Sequence, residues 1–224
     1  NYMKSAAFNK LIAEAYTKPE KTVIVYARLL KEAGLLTTGA RGRNAPDMTP
    51  LDAARLTLAL LTTDSPSQCV ERVRRFGQIK FSPSYKKIFR GYEPMRHDDF
   101  ARLFKGDTLE DVLAYMFALP ASIGIEKSCS WFEKNTFHLR VFDFDILAEL
   151  FQWKFEGEEV VGELVVPFKG QRMERTETGY DPIKGFSQIK GGIRTERSIS
   201  GSKFLSIGLA LLGEEQLKAE VANA

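Results

Sequence analysis

The stretch that most limits what this chain can fold into is EAGLLTTGARGRNAPDMTPLDAARL, Glu32 to Leu56. Gly34 closes an amphipathic segment, because glycine takes the left-handed conformation that ends a helix. Thr49-Pro50 opens the next one with a capping hydroxyl, a proline at the first helical position and Asp52 in the first turn. The span between holds few apolar residues, and Arg41 and Arg43 flank Gly42. Leu35-Leu36 is read as the start of a buried strand. Anchored at both ends, the span is either a solvated loop or a basic hairpin that faces something acidic.

The flanking segments are helical by period. In residues 4–16, Phe8, Leu11, Ile12, Ala15 and Tyr16 recur at helical spacing. Pro19 punctuates the break TKPEK. Over 21–33, Val23, Tyr26, Ala27, Leu30 and Ala33 form one stripe, with Lys21, Arg28 and Lys31 mostly off it. Valines and Ile24 make a strand over 22–26 the competing reading, but the following ARLLKEAG favours the helix. A third helix is expected over 50–61. A fourth, from Asp64-Ser65-Pro66 to Phe76, carries Arg72, Arg74 and Arg75.

Further along the pattern changes. Residues 77–96 are basic and aromatic and read as a linker with a short helix near 84–90. Residues 98–118 read as two helices broken near Gly106. TFHLRVFDFD alternates as a strand. ELFQWKFEGEEVVGELVVPF reads as two strands joined at Glu156-Gly157, and GGIRTERSIS as another. SKFLSIGLALLG reads as a short helix ending at Gly213. The expected class is α+β: a helical N-terminal domain over 1–76, the linker 77–96, and an α+β domain with an antiparallel sheet over 97–224.

Charge separates the same way. Residues 1–96 carry 17 Lys+Arg and 8 Asp+Glu, a balance of +9; residues 97–224 carry 15 and 21, a balance of −6. A basic half suits a polyanionic partner, although charge also fluctuates along ordinary chains. Hydrophobic content of 44% with 16 Phe supports a packed core rather than wholesale disorder. Two cysteines, Cys69 and Cys129, make a disulfide framework improbable and a reducing cytoplasm the default expectation. No apolar run reaches the ~20 residues that span a bilayer, and no secretory leader is visible.

Helix, short break, basic helix, Gly34-Leu35-Leu36, glycine-bearing basic span and a further helix form an order of elements. Carried by LIAEAYTKPEKTVIVYARLLKEAGLL (11–36), TTGARGRNAPDMT (37–49) and TPLDAARLTLALL (49–61), it resembles winged helix-turn-helix domains, most closely the MerR-type variant. The resemblance covers residues 4–62 and rests on order rather than on an invariant motif. TKPEK has no glycine, where many such turns do. The likeness implies that the second helix enters the major groove and that Arg41-Gly42-Arg43 is a wing. It implies double-stranded DNA as partner, base reading by Lys21, Val25 and Arg28, and a homodimer. Physically, Lys21, Arg28 and Lys31 suit phosphates or base edges, and Arg72, Arg74 and Arg75 are further phosphate candidates. Phe81, Tyr85 and Phe89 interleave with Lys80, Lys86 and Lys87, a pattern shared by single-strand binders and by ordinary cores.

Other chemistry is poorly supported. His97 and His138 are the only histidines. RHDDF suits a helix cap better than a metal cluster, and Asp143 and Asp145 lack a third ligand at diagnostic spacing. No C-x-x-C pair or phosphate loop is present, so neither cofactor nor metal is expected and the chain is not read as an enzyme. The expectation is a cytoplasmic, sequence-specific DNA-binding protein, a bacterial or phage transcriptional regulator, whose C-terminal part dimerises or takes a small ligand or a protein partner. A phage packaging component and a winged-helix adaptor that binds protein are the alternatives.

Overall fold

The computed structural model describes residues 3–39, 45–81, 107–134, 136–142, 146–156, 159–169 and 196–213. It is an α+β fold. The helices are α1 (Ser5–Ala15), α2 (Glu20–Glu32), α3 (Pro50–Thr62), α4 (Cys69–Gly77), α5 (Leu109–Ile123), α6 (Ile125–Lys134) and α7 (Ser202–Leu212). The strands are β1 (Lys80–Phe81), β2 (His138–Phe142), β3 (Leu147–Glu156), β4 (Glu159–Lys169) and β5 (Glu196–Ser200). They make one antiparallel sheet in the order β1-β4-β3-β2-β5.

Of the stripe expected in α1, Phe8 and Ile12 are buried and Leu11, Ala15 and Tyr16 partly so; of that in α2, Val23, Tyr26, Ala27 and Leu30 are buried and Ala33 partly so. Phe8 and Ile12 of α1 pack with Val23, Tyr26, Ala27 and Leu30 of α2. Burying each such large side chain contributes about 1.5–3 kcal/mol. Helix wins over strand in α2 because burial at every third or fourth position outweighs the weak β preference of Val and Ile. In β2 the alternation holds: Leu139 and Val141 are buried, while Arg140 lies half-buried on the opposite face over the Phe151 ring.

Two ends of helices share one device. Gly34, at φ 71°, follows α2; its N–H donates to the Lys31 carbonyl at 3.0 Å and the Leu35 N–H donates to the Leu30 carbonyl at 2.8 Å. This is the Schellman pattern that satisfies otherwise orphaned carbonyls. After α1 the same two bonds recur, from Thr17 to Glu14 at 3.3 Å and from Lys18 to Ala13 at 2.9 Å. The residue in the glycine position there is Thr17, at φ 52°. A β-branched residue is strained in that region. Thr17→Gly is therefore expected to raise stability by about 1 kcal/mol, after allowing for the added freedom of the unfolded chain. A urea midpoint that rises at unchanged slope agrees; one that falls shows that the Thr17 side chain contributes more than its backbone costs.

Three expectations need correction. Leu35-Leu36 does not begin a strand: no strand occurs in 35–39 or 45–49, and Leu36 is buried from irregular chain. The backbone there is held by a side chain instead, described below. The linker does not begin at 77. Gly77 completes α4, Ile79 is 2% exposed, and Lys80 and Phe81 pair with Lys169 and Phe168. The Ile79 carbonyl accepts from the Leu109 N–H at 2.8 Å, which ties this segment to the start of α5. The helical segment expected to stop at 118 continues to Ile123 with Pro120 inside it, and α6 follows beyond Gly124. The rest of the linker, the short helix at 84–90, residues 98–106 with Gly106, and Lys86, Lys87, Tyr85, Phe89, His97, Asp143 and Asp145 lie outside the described residues.

One hydrophobic core joins both halves, from Phe8 in α1 through Leu56 and Leu58 in α3 and Phe117 in α5 to Phe204 in α7. Among the described glycines the closest approach is at Gly208, where an added Cβ would lie 2.6 Å from the Phe117 carbonyl oxygen. Only glycine lets α7 come that near α5. No helix among the described residues is long and apolar enough to cross a membrane.

Candidate nucleic-acid interface

The buried stripe of α2 leaves an outer face. Lys21, Ile24 and Arg28, at i, i+3 and i+7, are exposed together on it. Ile24 is 45% exposed, the only large hydrophobic residue so exposed among the described residues. Val25, expected to read bases, is half-buried at the edge of this face. Lys31 is turned toward α1, where its Nζ donates to Ser5 Oγ. Arg28 faces Glu32 at 3.7 Å with both side chains over 60% exposed. Such a surface pair contributes little and leaves the guanidinium free to reach elsewhere.

The span after α2 is pinned by one carboxylate. Asp52 is 3% exposed. Its Oδ1 accepts the Thr37 N–H at 2.7 Å, and its Oδ2 accepts Thr37 Oγ1 at 2.8 Å, the Thr49 N–H at 2.7 Å and Thr49 Oγ1 at 2.8 Å. Thr49 Oγ1 in return accepts the Asp52 N–H at 3.2 Å, closing a capping box. Asp52 thus holds the outgoing and the returning end of the span. Burial of Leu36 and Met48 seals the same two ends, and the Met48 N–H donates to the Met3 carbonyl at 2.9 Å. Lys4 pairs with Asp47 at 2.7 Å. Arg41 and Arg43, between those ends, lie outside the described residues.

The fourth helix packs against α2. On it Arg74 and Arg75 are exposed and Arg72 is half-buried; Arg75 faces Glu71 at 3.4 Å. Cys69 at its start is buried, and burial pushes its thiol above the ordinary range, which keeps it protonated and unreactive. Cys129 is half-buried and also free. Burial likewise pushes the Tyr26 phenol up, with the nearby Asp64 charge adding to the shift; its OH donates to the Thr63 carbonyl at 2.9 Å. Among the described residues no three His, Cys, Asp or Glu side chains form a group able to hold a metal ion.

Between α3, the end of α4 and the start of α5 sits a polar network that periodicity could not reveal. Arg55 Nε donates to Glu110 Oε2 at 3.0 Å, its Nη2 to Oε1 at 3.4 Å, and its Nη1 to the Leu35 carbonyl at 3.1 Å. Gln78 Nε2 donates to Glu110 Oε1 at 2.7 Å. Arg55 of α3 and Gln78 after α4 therefore meet at the Glu110 carboxylate at the start of α5, and Arg55 ties in the Leu35 carbonyl beyond α2. Arg55 reads in sequence as one more cation of the basic half, yet it is structural. Sequence reasoning missed Ile24 and named its neighbour Val25, since both lie off the α2 stripe. No protein-family model matches the chain, and neither a curated protein nor a solved structure matches it.

Proposed function

We propose that the chain binds double-stranded DNA, with α2 as the recognition helix, and acts as a DNA-binding regulator. The observation that carries this reading is the trio Lys21, Ile24 and Arg28, exposed on one face of α2, the second of two helices joined by a short turn. A cation at each end suits phosphates or guanine edges, and an exposed isoleucine between them suits a thymine methyl. The pinned span after α2 is the wing of this reading, with Arg41 and Arg43 as its cations. Arg74 and Arg75, on a helix packed against α2, add positive field nearby.

The roles separate on mutation. Arg28→Ala is expected to weaken duplex binding by about tenfold, whereas Ile24→Ala costs little on random DNA and relaxes preference at one position of a selected site. Selection of binding sequences from a random pool, repeated with each variant, reads both effects. An Ile24→Ala or Arg28→Ala protein that selects the same sequences with the same affinity removes α2 from the interface. The exposed isoleucine would equally suit a protein partner, and a chain that selects no sequence and retains no duplex favours that reading.

A further inference from the structure

The turn between α1 and α2 has a second neighbour. Behind it opens a cavity of about 460 Å³, walled by that turn, by α3, by β5 and by the first turn of α7. The volume falls within the range of small-molecule sites. Its lining is apolar at Leu60, Leu61 and Ile199 and cationic at Lys18, Arg197 and Lys203. The carboxylate opposing them is Asp64, which Arg197 Nη2 meets at 2.7 Å and Lys18 Nζ at 3.9 Å. Lys203 has no carboxylate within ion-pair distance among the described residues, and it lies half-buried on the first turn of α7. Hydroxyls complete the lining: Ser198, Ser200 and Thr57. Thr57 Oγ1 is 2.6 Å from Tyr16 OH, and burial pushes that phenol well above its ordinary range, so it stays neutral.

The geometry points to a binding site for a small amphipathic carboxylate, its anionic head at Lys203 and Arg197 and its apolar body over Leu60, Leu61 and Ile199. Three cations against one carboxylate favour a negative head. Leu60, Leu61 and Ile199 give a hydrocarbon or aromatic body an apolar patch to lie on. An amine head would face these cations and is disfavoured. Thr17, in its strained conformation, is part of the wall, so an occupant touches the turn that leads into α2.

Octanoate is a suitable probe, with octanamide as its uncharged match and acetate as the head alone. Titration calorimetry on the whole chain, without DNA, is expected to give octanoate a Kd of about 1 mM or tighter, octanamide a Kd at least about tenfold weaker, and acetate no measurable binding. Amide shifts induced by octanoate should centre on Thr17, Thr57 and Ser200. Lys203→Gln, at a half-buried surface position, should keep the fold and lose octanoate by about fivefold to tenfold while leaving octanamide unchanged. Equal binding of octanoate and octanamide, shifts centred elsewhere, an unaffected Lys203→Gln protein, or no octanoate binding at 10 mM (about ten times the expected Kd) would each overturn the assignment. Since no arm contains DNA, the outcome is independent of the DNA reading.

Discussion

Asp52→Ala is expected to destabilise the protein by about 3–4 kcal/mol, more than a helix cap alone accounts for. A cap contributes about 1 kcal/mol, because one orphan N–H finds an acceptor. Asp52 does that and more: it accepts from two backbone N–H groups and two hydroxyls in a site where it is 3% exposed. Alanine leaves the Thr37 and Thr49 N–H groups without their acceptor, and an unmade bond at a buried site costs its desolvation. The loss should appear as a lower urea midpoint, together with faster amide exchange at Thr37 and Thr49. Asp52→Asn, which keeps a carbonyl oxygen, should recover about half. A loss below about 1 kcal/mol would show that buried Leu36 and Met48, rather than the carboxylate, hold the ends of the span.

Glu110→Ala is expected to cost about 3 kcal/mol, toward the lower end for breaking a buried pair, because Arg55 keeps some contact with water. The side chains of Arg55 and Glu110 are 22% and 11% exposed. Removing the carboxylate leaves the Arg55 guanidinium with only the Leu35 carbonyl and frees the exposed Gln78 amide, so α3 and the end of α4 lose their common partner at the start of α5. An uncompensated charge accounts for most of this loss, so replacing both partners, Arg55→Met with Glu110→Leu, should recover much of it. Thermal unfolding of the two single variants and the double one forms the cycle. Additive losses in the double variant would mean that the two residues act separately and that the network is not a unit.

Sequence carried the helices well, for a physical reason. Phe8, Ile12, Val23, Tyr26 and Leu30 recur at the spacing of one helical face, and burial of that face is what makes those segments fold. Punctuation was also local: Gly34, Thr49-Pro50 and Gly213 act through their own backbones. The second Schellman end was hidden because threonine occupies the glycine position at residue 17. Strand β1 was hidden because two residues cannot show a period, and its pairing to Lys169 and Phe168 spans more than eighty positions. At Leu35-Leu36 the apolar pair was visible, but nothing told whether the Leu35 carbonyl would bond to another strand or to the Arg55 guanidinium. The candidate site divides similarly. Lys21 and Arg28 were legible because they leave the buried stripe. That Ile24 rather than Val25 is exposed follows from how α2 is turned against α1 and α3, which packing decides. Arg55 looked like any other arginine until Glu110, fifty-five positions away, was brought beside it.

The measurement that bears most directly on the central claim is duplex-DNA binding by the unmodified chain across a salt series, followed by fluorescence anisotropy. Each phosphate neutralised releases counterions, so the affinity should fall steeply and linearly on logarithmic axes between about 50 and 200 mM salt. Lys21→Ala with Arg28→Ala should reduce that slope by about 1–2, since each phosphate contact contributes about 0.9. Binding that is strong at low salt, salt-steep and weakened by this pair of changes is the predicted result. No retention of duplex DNA at 50 mM salt (about the lower end of the series), or a slope the two alanines leave untouched, would contradict α2 as a DNA-recognition helix.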